Sequence, residues 1–327
     1  MKAIVFPGQG SQFVGMGHDL YASFSEAKEV FEEVDDTLEQ NLSKIMFEGP
    51  EETLTLTENT QPAIMAVGMA IIKILKCRGF RIDLISDILA GHSLGEYTAL
   101  AASESLSLKD VSLLLKVRGK AMQGAVPNGQ GSMAAILGLS IKEVIDIIDE
   151  NQLNDKVFPA NDNAEAQVVI SGLKNNIEGS LDIFLKNGAK KALQLSVSAP
   201  FHCPLMNPAK EIMSEAIKNV DLLKPVVPVL SNVKVNSEES IDGIKDNLIN
   251  QVTEIVRWRE IMIKLEEEAV TDFYEIGSGS VLSNLAKRSC PSFNRKSVNN
   301  KSSVDDFLLL LDKWGVEWLI WRKKKFY

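Results

Sequence analysis

Gly91-His92-Ser93-Leu94-Gly95 fits G-x-S-x-G, and it lies between a short apolar run, Ile88-Leu89-Ala90, and a helical pattern from Leu94 to Ala102. Strand, tight turn and helix, in that order, are the context in which this motif lifts a serine hydroxyl out of a sheet. The flanking glycines let the chain turn sharply and let a substrate approach the backbone. No other feature constrains the fold as strongly. It also sets a chemical question, because a serine without a base is a poor nucleophile.

The search for that base is short, since the chain has three histidines, His18, His92 and His202. His202 lies in Ser198-Ala199-Pro200-Phe201-His202-Cys203-Pro204, where prolines on both sides stiffen a loop between a strand and a helix. Such a residue is either a general base or a hydrogen-bonded structural histidine, and the residues alone leave both open. His92 adjoins the serine, so its side chain projects elsewhere and suits a supporting role. His18 follows a glycine-rich loop and reads as structural or exposed. Cys203 reads as a small packing residue.

A net charge of −9 over 327 residues argues against non-specific nucleic-acid binding as the main activity, and any acidic partner must meet a local basic patch. Cys77, Cys203 and Cys290 show no zinc spacing, and no metal site is expected; free thiols fit a reducing cytoplasm. The apolar segment in Met1–Gly10 is too short for a signal peptide. The longest uncharged apolar run, Pro62 to Ile72, ends at Lys73 and suits a buried helix, so no integral membrane association is expected.

Along the chain, a strand is predicted at Ala3–Phe6, helices at Ser25–Leu38, Gln61–Cys77 and Leu108–Gly124, and a breaker at Pro127-Asn128-Gly129-Gln130-Gly131. Residues 127–198 then read β-α-β-β-α-β, the ferredoxin-like order. The predicted fold is α/β: a hydrolase-like parallel-sheet large domain, residues 1–126 and 199–291, with an inserted ferredoxin-like small subdomain at 127–198. Gly277-Ser278-Gly279 is expected to open a last helix. Residues 292–327 read as a linker and a C-terminal tail of unknown role. The tail carries Trp314, Trp318 and Trp321 on one helical face, followed by Arg322-Lys323-Lys324-Lys325. Its readings are a helix packed on the domain, a read-through or artificial extension, and a membrane-surface helix.

Several segments together resemble the malonyl-CoA:acyl-carrier-protein transacylases. They are Phe6-Pro7-Gly8-Gln9-Gly10-Ser11-Gln12, Gly91-His92-Ser93-Leu94-Gly95-Glu96, Val117-Arg118-Gly119-Lys120-Ala121-Met122, Ser198 to His202, Ser231-Asn232-Val233, Gln251-Val252 with Val256-Arg257-Trp258, and Glu275-Ile276-Gly277. They run in the family order over nearly nine-tenths of the chain, from residue 3 to about 288. A lone G-x-S-x-G is a weak signal; the ordered set is a strong one.

The resemblance implies that Ser93 carries the acyl group, that His202 is its base, and that a backbone carbonyl near Gln251 orients the histidine without a triad aspartate. It implies an oxyanion hole from the backbone N–H groups of Leu94 and Gln12. Arg118 is implied as the malonyl-specificity residue, since a planar guanidinium can grip a carboxylate with two parallel hydrogen bonds. His92, Phe201 and Asn163 are implied in substrate binding. Asp162, Glu165 and Ala166 depart from the family pattern in a loop around Asn163, where Tyr, Pro and Gly are frequent. The implied reaction moves malonyl from malonyl-CoA to the phosphopantetheine thiol of acyl carrier protein for fatty acid synthesis. No permanently bound cofactor is implied, and the expected state is a cytoplasmic monomer. The competing classes are a serine esterase or thioesterase, which usually places an acid between serine and histidine in chain order, and a non-catalytic acyl-CoA or carrier-protein binding module.

Overall fold

A computed structural model describes residues 1–197 and 199–326, with side chains as far as Trp314. Ser198 therefore lies outside the described residues, as do the side chains of Trp318, Trp321 and Arg322–Lys325. Strands β1 (Lys2–Phe6) and β2 (Ile88–Gly91) begin the larger sheet. A second sheet is built from β3 (Gly131–Leu137), β4 (Val157–Ala164), β5 (Gln167–Leu173) and β6 (Lys191–Gln194). The first sheet is completed by β7 (Val229–Leu230), β8 (Asp272–Ile276) and β9 (Asn294–Val298).

The five-stranded sheet has the order β7-β2-β1-β8-β9, and every pairing in it is parallel. Parallel strands flanked by helices are buried on both faces, and β1 shows why its sequence is continuously apolar. Ile4 and Phe6 enter one core, with Leu89, Tyr274 and Ile276 beside them. Ala3 and Val5 enter a second core on the opposite face, with Ile88, Ala90 and Phe273. The two-residue period of the strand makes this division.

The four-stranded sheet has the order β4-β5-β3-β6, is antiparallel throughout, and encloses its own core under the helices Ile141–Glu150 and Lys174–Lys186. That strand order and the β-α-β-β-α-β succession are ferredoxin-like. A parallel bridge from Asn161 to Val256 ties this unit to the segment before the helix Trp258–Glu267.

Several local readings are corrected. The helix expected from Gln61 starts at Thr57 and runs to Cys77, placing Pro62 inside it. Tertiary burial of Thr57, Asn59, Thr60 and Gln61 stabilises that extra turn, which composition alone does not favour. The helix is long and apolar enough to cross a membrane, yet 78% of its most apolar window is buried in the fold. Its role here is that of a core helix.

Residues 292–303, expected as a linker, contain β9, which pairs along β8 from Asp272↔Asn294 to Ile276↔Val298. Its polar composition suits an edge strand with half-exposed faces. The helix opened by Gly277-Ser278-Gly279, Val281–Ser289, is therefore not the last one; Lys301–Phe326 follows. Val304, Phe307 and Leu311 are buried in the main core, and Trp314 packs near Tyr274 with Lys2 Nζ 4.0 Å over its ring. The start of the supposed tail is thus a part of the fold.

Candidate active site

Ser93 sits between the end of β2 and the helix Leu94–Ala102, with φ 54° and ψ −108°. The turn is possible only because its flanks lack side chains. A Cβ on Gly91 would lie 1.9 Å from the backbone of Gly95, and one on Gly95 would lie 2.2 Å from the Phe6 carbonyl. Asn232, just beyond β7, clamps the turn from the side. Its Oδ1 accepts from the Ser93 N–H at 2.7 Å and its Nδ2 donates to the Gly91 carbonyl at 2.7 Å.

His202 reaches Ser93 from the far side. Its Nε2 lies 2.8 Å from Ser93 Oγ, and its Nδ1 lies 2.8 Å from the Gln251 carbonyl. A carbonyl only accepts, so Nδ1 carries the proton and Nε2 is left as the acceptor. Gln251 ends the helix Ile241–Gln251, where the last carbonyls have no intrahelical donor to satisfy them. Burial, then the nearby Arg118 charge, pushes the His202 pKa down to about 3. The imidazole is therefore neutral, the state a base requires. Among the described residues no carboxylate bonds to His202. The esterase alternative leads one to expect an acid at that position, and a helix-terminal carbonyl stands there.

Arg118 projects from the helix Leu108–Gly124 and is only 1% exposed. One terminal nitrogen donates to Ser93 Oγ at 3.0 Å and to Gln251 Oε1 at 2.8 Å; the other donates to Gln61 Oε1 at 2.9 Å. Its Nε–H has no partner, and no salt bridge to it occurs among the described residues. Burial lowers the pKa of Arg118, but a guanidinium keeps its charge in proteins. A buried cation whose direct hydrogen-bond partners are all uncharged stands next to the serine, with the Glu96 carboxyl acting on it only from beyond Gln251.

The other predicted residues fall around this centre. Leu94 is the first residue of the elbow helix, so its N–H lies outside the intrahelical ladder. Gln12 folds its side chain back to accept the Gly10 N–H at 2.7 Å. His92 turns away from the serine, with Nε2 2.8 Å from Asn163 Oδ1 and its ring against Trp258. Burial lowers its pKa. Phe201 is buried in the main core. Asn163 lies within β4, not in a loop as expected; irregular register at Pro159/Asn161 and Asp162/Ala164 lets this polar run stay in the sheet. Asp162 is held there by Arg259 at 2.9 Å. His18 is exposed and lies edge-on to Phe47. Cys203 is buried, with Sγ directed to the Pro200 carbonyl.

Three residues at the centre were not singled out by sequence reasoning: Gln61, Glu96 and Asn232. The last two stand inside quoted motifs, which gave them no role. For Gln61 the available signal was a polar run, Asn59-Thr60-Gln61, opening an otherwise apolar helix.

A parallel α/β sheet with a strained serine elbow, joined to a ferredoxin-like unit, defines an acyltransferase, and the acyl transferase domain family matches residues 3–305. The chain is 45% identical over 306 residues to the malonyl CoA-acyl carrier protein transacylase of Bacillus subtilis strain 168, covering 93% of this chain and 95% of that protein. An acyl-carrier-protein-S-malonyltransferase from Bartonella henselae superposes with a TM-score of 0.92 at 44% identity, over 95% of this chain and 100% of that one. A malonyl-transacylase solved in complex with its type II PKS acyl-carrier protein superposes with a TM-score of 0.89 at 38% identity, over 92% and 97%. The chain belongs to the malonyl CoA-acyl carrier protein transacylase family.

Proposed function

We propose that this protein transfers malonyl from malonyl-CoA to the phosphopantetheine thiol of acyl carrier protein, through an ester on Ser93, for fatty acid synthesis. Ser93 Oγ attacks the thioester carbonyl while its proton passes to His202 Nε2. The oxyanion is received by the Leu94 and Gln12 N–H groups, at the positive end of the elbow helix. The C–S bond then breaks and the CoA sulfur takes the proton from His202. Acyl carrier protein reverses the sequence with its own thiol. A thiolate leaves readily, so the base needs less assistance than in amide hydrolysis, and a neutral carbonyl behind His202 suffices.

What supports the malonyl reading is the state of Arg118. A buried guanidinium with no carboxylate bonded directly to it is costly, and a free carboxylate on the substrate would supply that direct partner within reach of the serine. His92 and Asn163 would flank the thioester, and Phe201 would restrict branching at the adjacent carbon. The names of the relatives point the same way. Mixing the protein with malonyl-CoA and recording intact mass tests the mechanism. One malonyl group should add to wild type and none to Ser93→Ala; label on Ser93→Ala would sink it.

A further inference from the structure

Ser93-Leu94-Gly95-Glu96 has the S-x-x-E spacing of a capping box, in which the serine hydroxyl accepts from the glutamate N–H and the glutamate bonds back to the serine N–H. Neither bond is made. Ser93 Oγ is engaged by His202 and Arg118, and the Ser93 N–H goes to Asn232. Glu96 is free for other work, although it is 3% exposed. Its Oε2 accepts from the Asn232 N–H at 3.0 Å and from Gln251 Nε2 at 2.6 Å. The same Nε2 donates to the Ser93 carbonyl at 3.0 Å.

With both of its Nε2 hydrogens committed to acceptors, Gln251 must present Oε1 to Arg118, 2.8 Å away. Turned over, the amide would set its NH2 against a guanidinium and, above pH 7 where Glu96 is ionised, its oxygen against a carboxylate. The bond from Gln251 to His202 uses the backbone carbonyl and does not depend on the side chain's orientation. Glu96 therefore acts on Arg118 more than on the base.

We infer that Glu96 is a positioning residue: by accepting from Gln251 and Asn232, it fixes the Gln251 amide, and through it the Arg118 guanidinium, beside Ser93. The inference rests on the malonyl reading, since what Glu96 positions is the cation assigned to the malonyl carboxylate.

The test compares kcat/KM for malonyl-CoA and acetyl-CoA in wild type, Glu96→Asp and Glu96→Gln. Taking the ratio within each variant cancels any loss of folded protein. Aspartate keeps the charge but is a methylene short, so the malonyl-over-acetyl ratio should fall by about 10- to 100-fold, chiefly through KM for malonyl-CoA. Glutamine can still accept with its Oε1 and should recover most of the ratio. An unchanged ratio in Glu96→Asp, with both substrates falling together, would reveal a merely structural role and overturn the inference. So would a Glu96→Gln ratio as low as that of Glu96→Asp. A wild-type enzyme with no preference for malonyl would sink the underlying reading and the inference with it, and that result is distinguishable because it needs no variant.

Discussion

Ser93 and His202 both hold backbone conformations with positive φ, 54° and 56°, and their reacting atoms meet at 2.8 Å. For residues other than glycine such conformations cost of order 1–3 kcal/mol each and persist only where the surroundings over-determine them. Here the surroundings do so. Asn232 clamps the serine turn through both atoms of its amide, prolines flank the histidine loop, and the Gln251 carbonyl fixes the ring. The pair is assembled before substrate arrives, so little of the barrier is left to reorganisation.

His202→Ala should slow acylation of Ser93 by about 10²–10⁴-fold, the usual contribution of a positioned general base. His18→Ala should change it little, because His18 is exposed and bonds to nothing in the site. Rapid-quench rates of acyl-enzyme formation check both. A folded His202→Ala protein at the wild-type rate would exclude the assignment.

Arg118→Ala should lower kcat/KM for malonyl-CoA by several orders of magnitude, since stranding one member of a buried charge pair costs about 3–5 kcal/mol. Acetyl transfer needs no counter-charge and should fall less. Arg118→Lys should recover only part, because an ammonium supplies charge without the two-pronged geometry. If the malonyl-to-acetyl ratio is the same in Arg118→Ala as in wild type, Arg118 does not grip the carboxylate.

Stability should depend on pH through two buried groups of opposite sign. Burial raises the Glu96 pKa from 4.5 to about 7, so between those values the folded chain holds a proton that the unfolded chain has released. Its contribution grows as pH falls through 7 and is complete near 4.5. The His202 pKa is lowered from 6.5 to about 3, so the unfolded chain binds the extra proton and stability is lost as pH falls below 6.5. Each group alone would give a slope of about 1.4 kcal/mol per pH unit within its window. Between pH 7 and 5, Tm should therefore fall more steeply in Glu96→Gln than in wild type, and less steeply in His202→Gln. Three parallel Tm curves would contradict both assignments.

Lys190 and Lys191, exposed at the start of the edge strand β6, are proposed as part of a basic docking patch for acidic carrier protein on this acidic chain. Reversing both charges should raise KM for carrier protein severalfold, mostly through slower association. Acylation by malonyl-CoA should respond much less. Equal effects on the two half-reactions would argue against docking there.

Local chemistry alone makes the elbow legible in the sequence. A continuously apolar strand, glycines on both sides of Ser93 and a helix-forming run after it are short-range signals, and so is the β-α-β-β-α-β order of the small unit. The helices Ser25–Leu38, Leu94–Ala102 and Leu108–Gly124 lie where apolar periodicity puts them. Periodicity fails where burial is decided by distant partners. The polar strand β9 exists because β8 offers it an edge, and the polar end of β4 exists because Val256 and Arg259 hold it. The residue types Ser, His and Arg are readable from motifs, but their convergence is not. Ser93 meets Asn232 across 139 positions, and Gln251 meets Glu96 across 155. Hydrogen bonds over such separations leave no periodic trace in a sequence. They depend on a helix terminus, an elbow and a loop being brought together by the parallel sheet, and only the tertiary structure decides that.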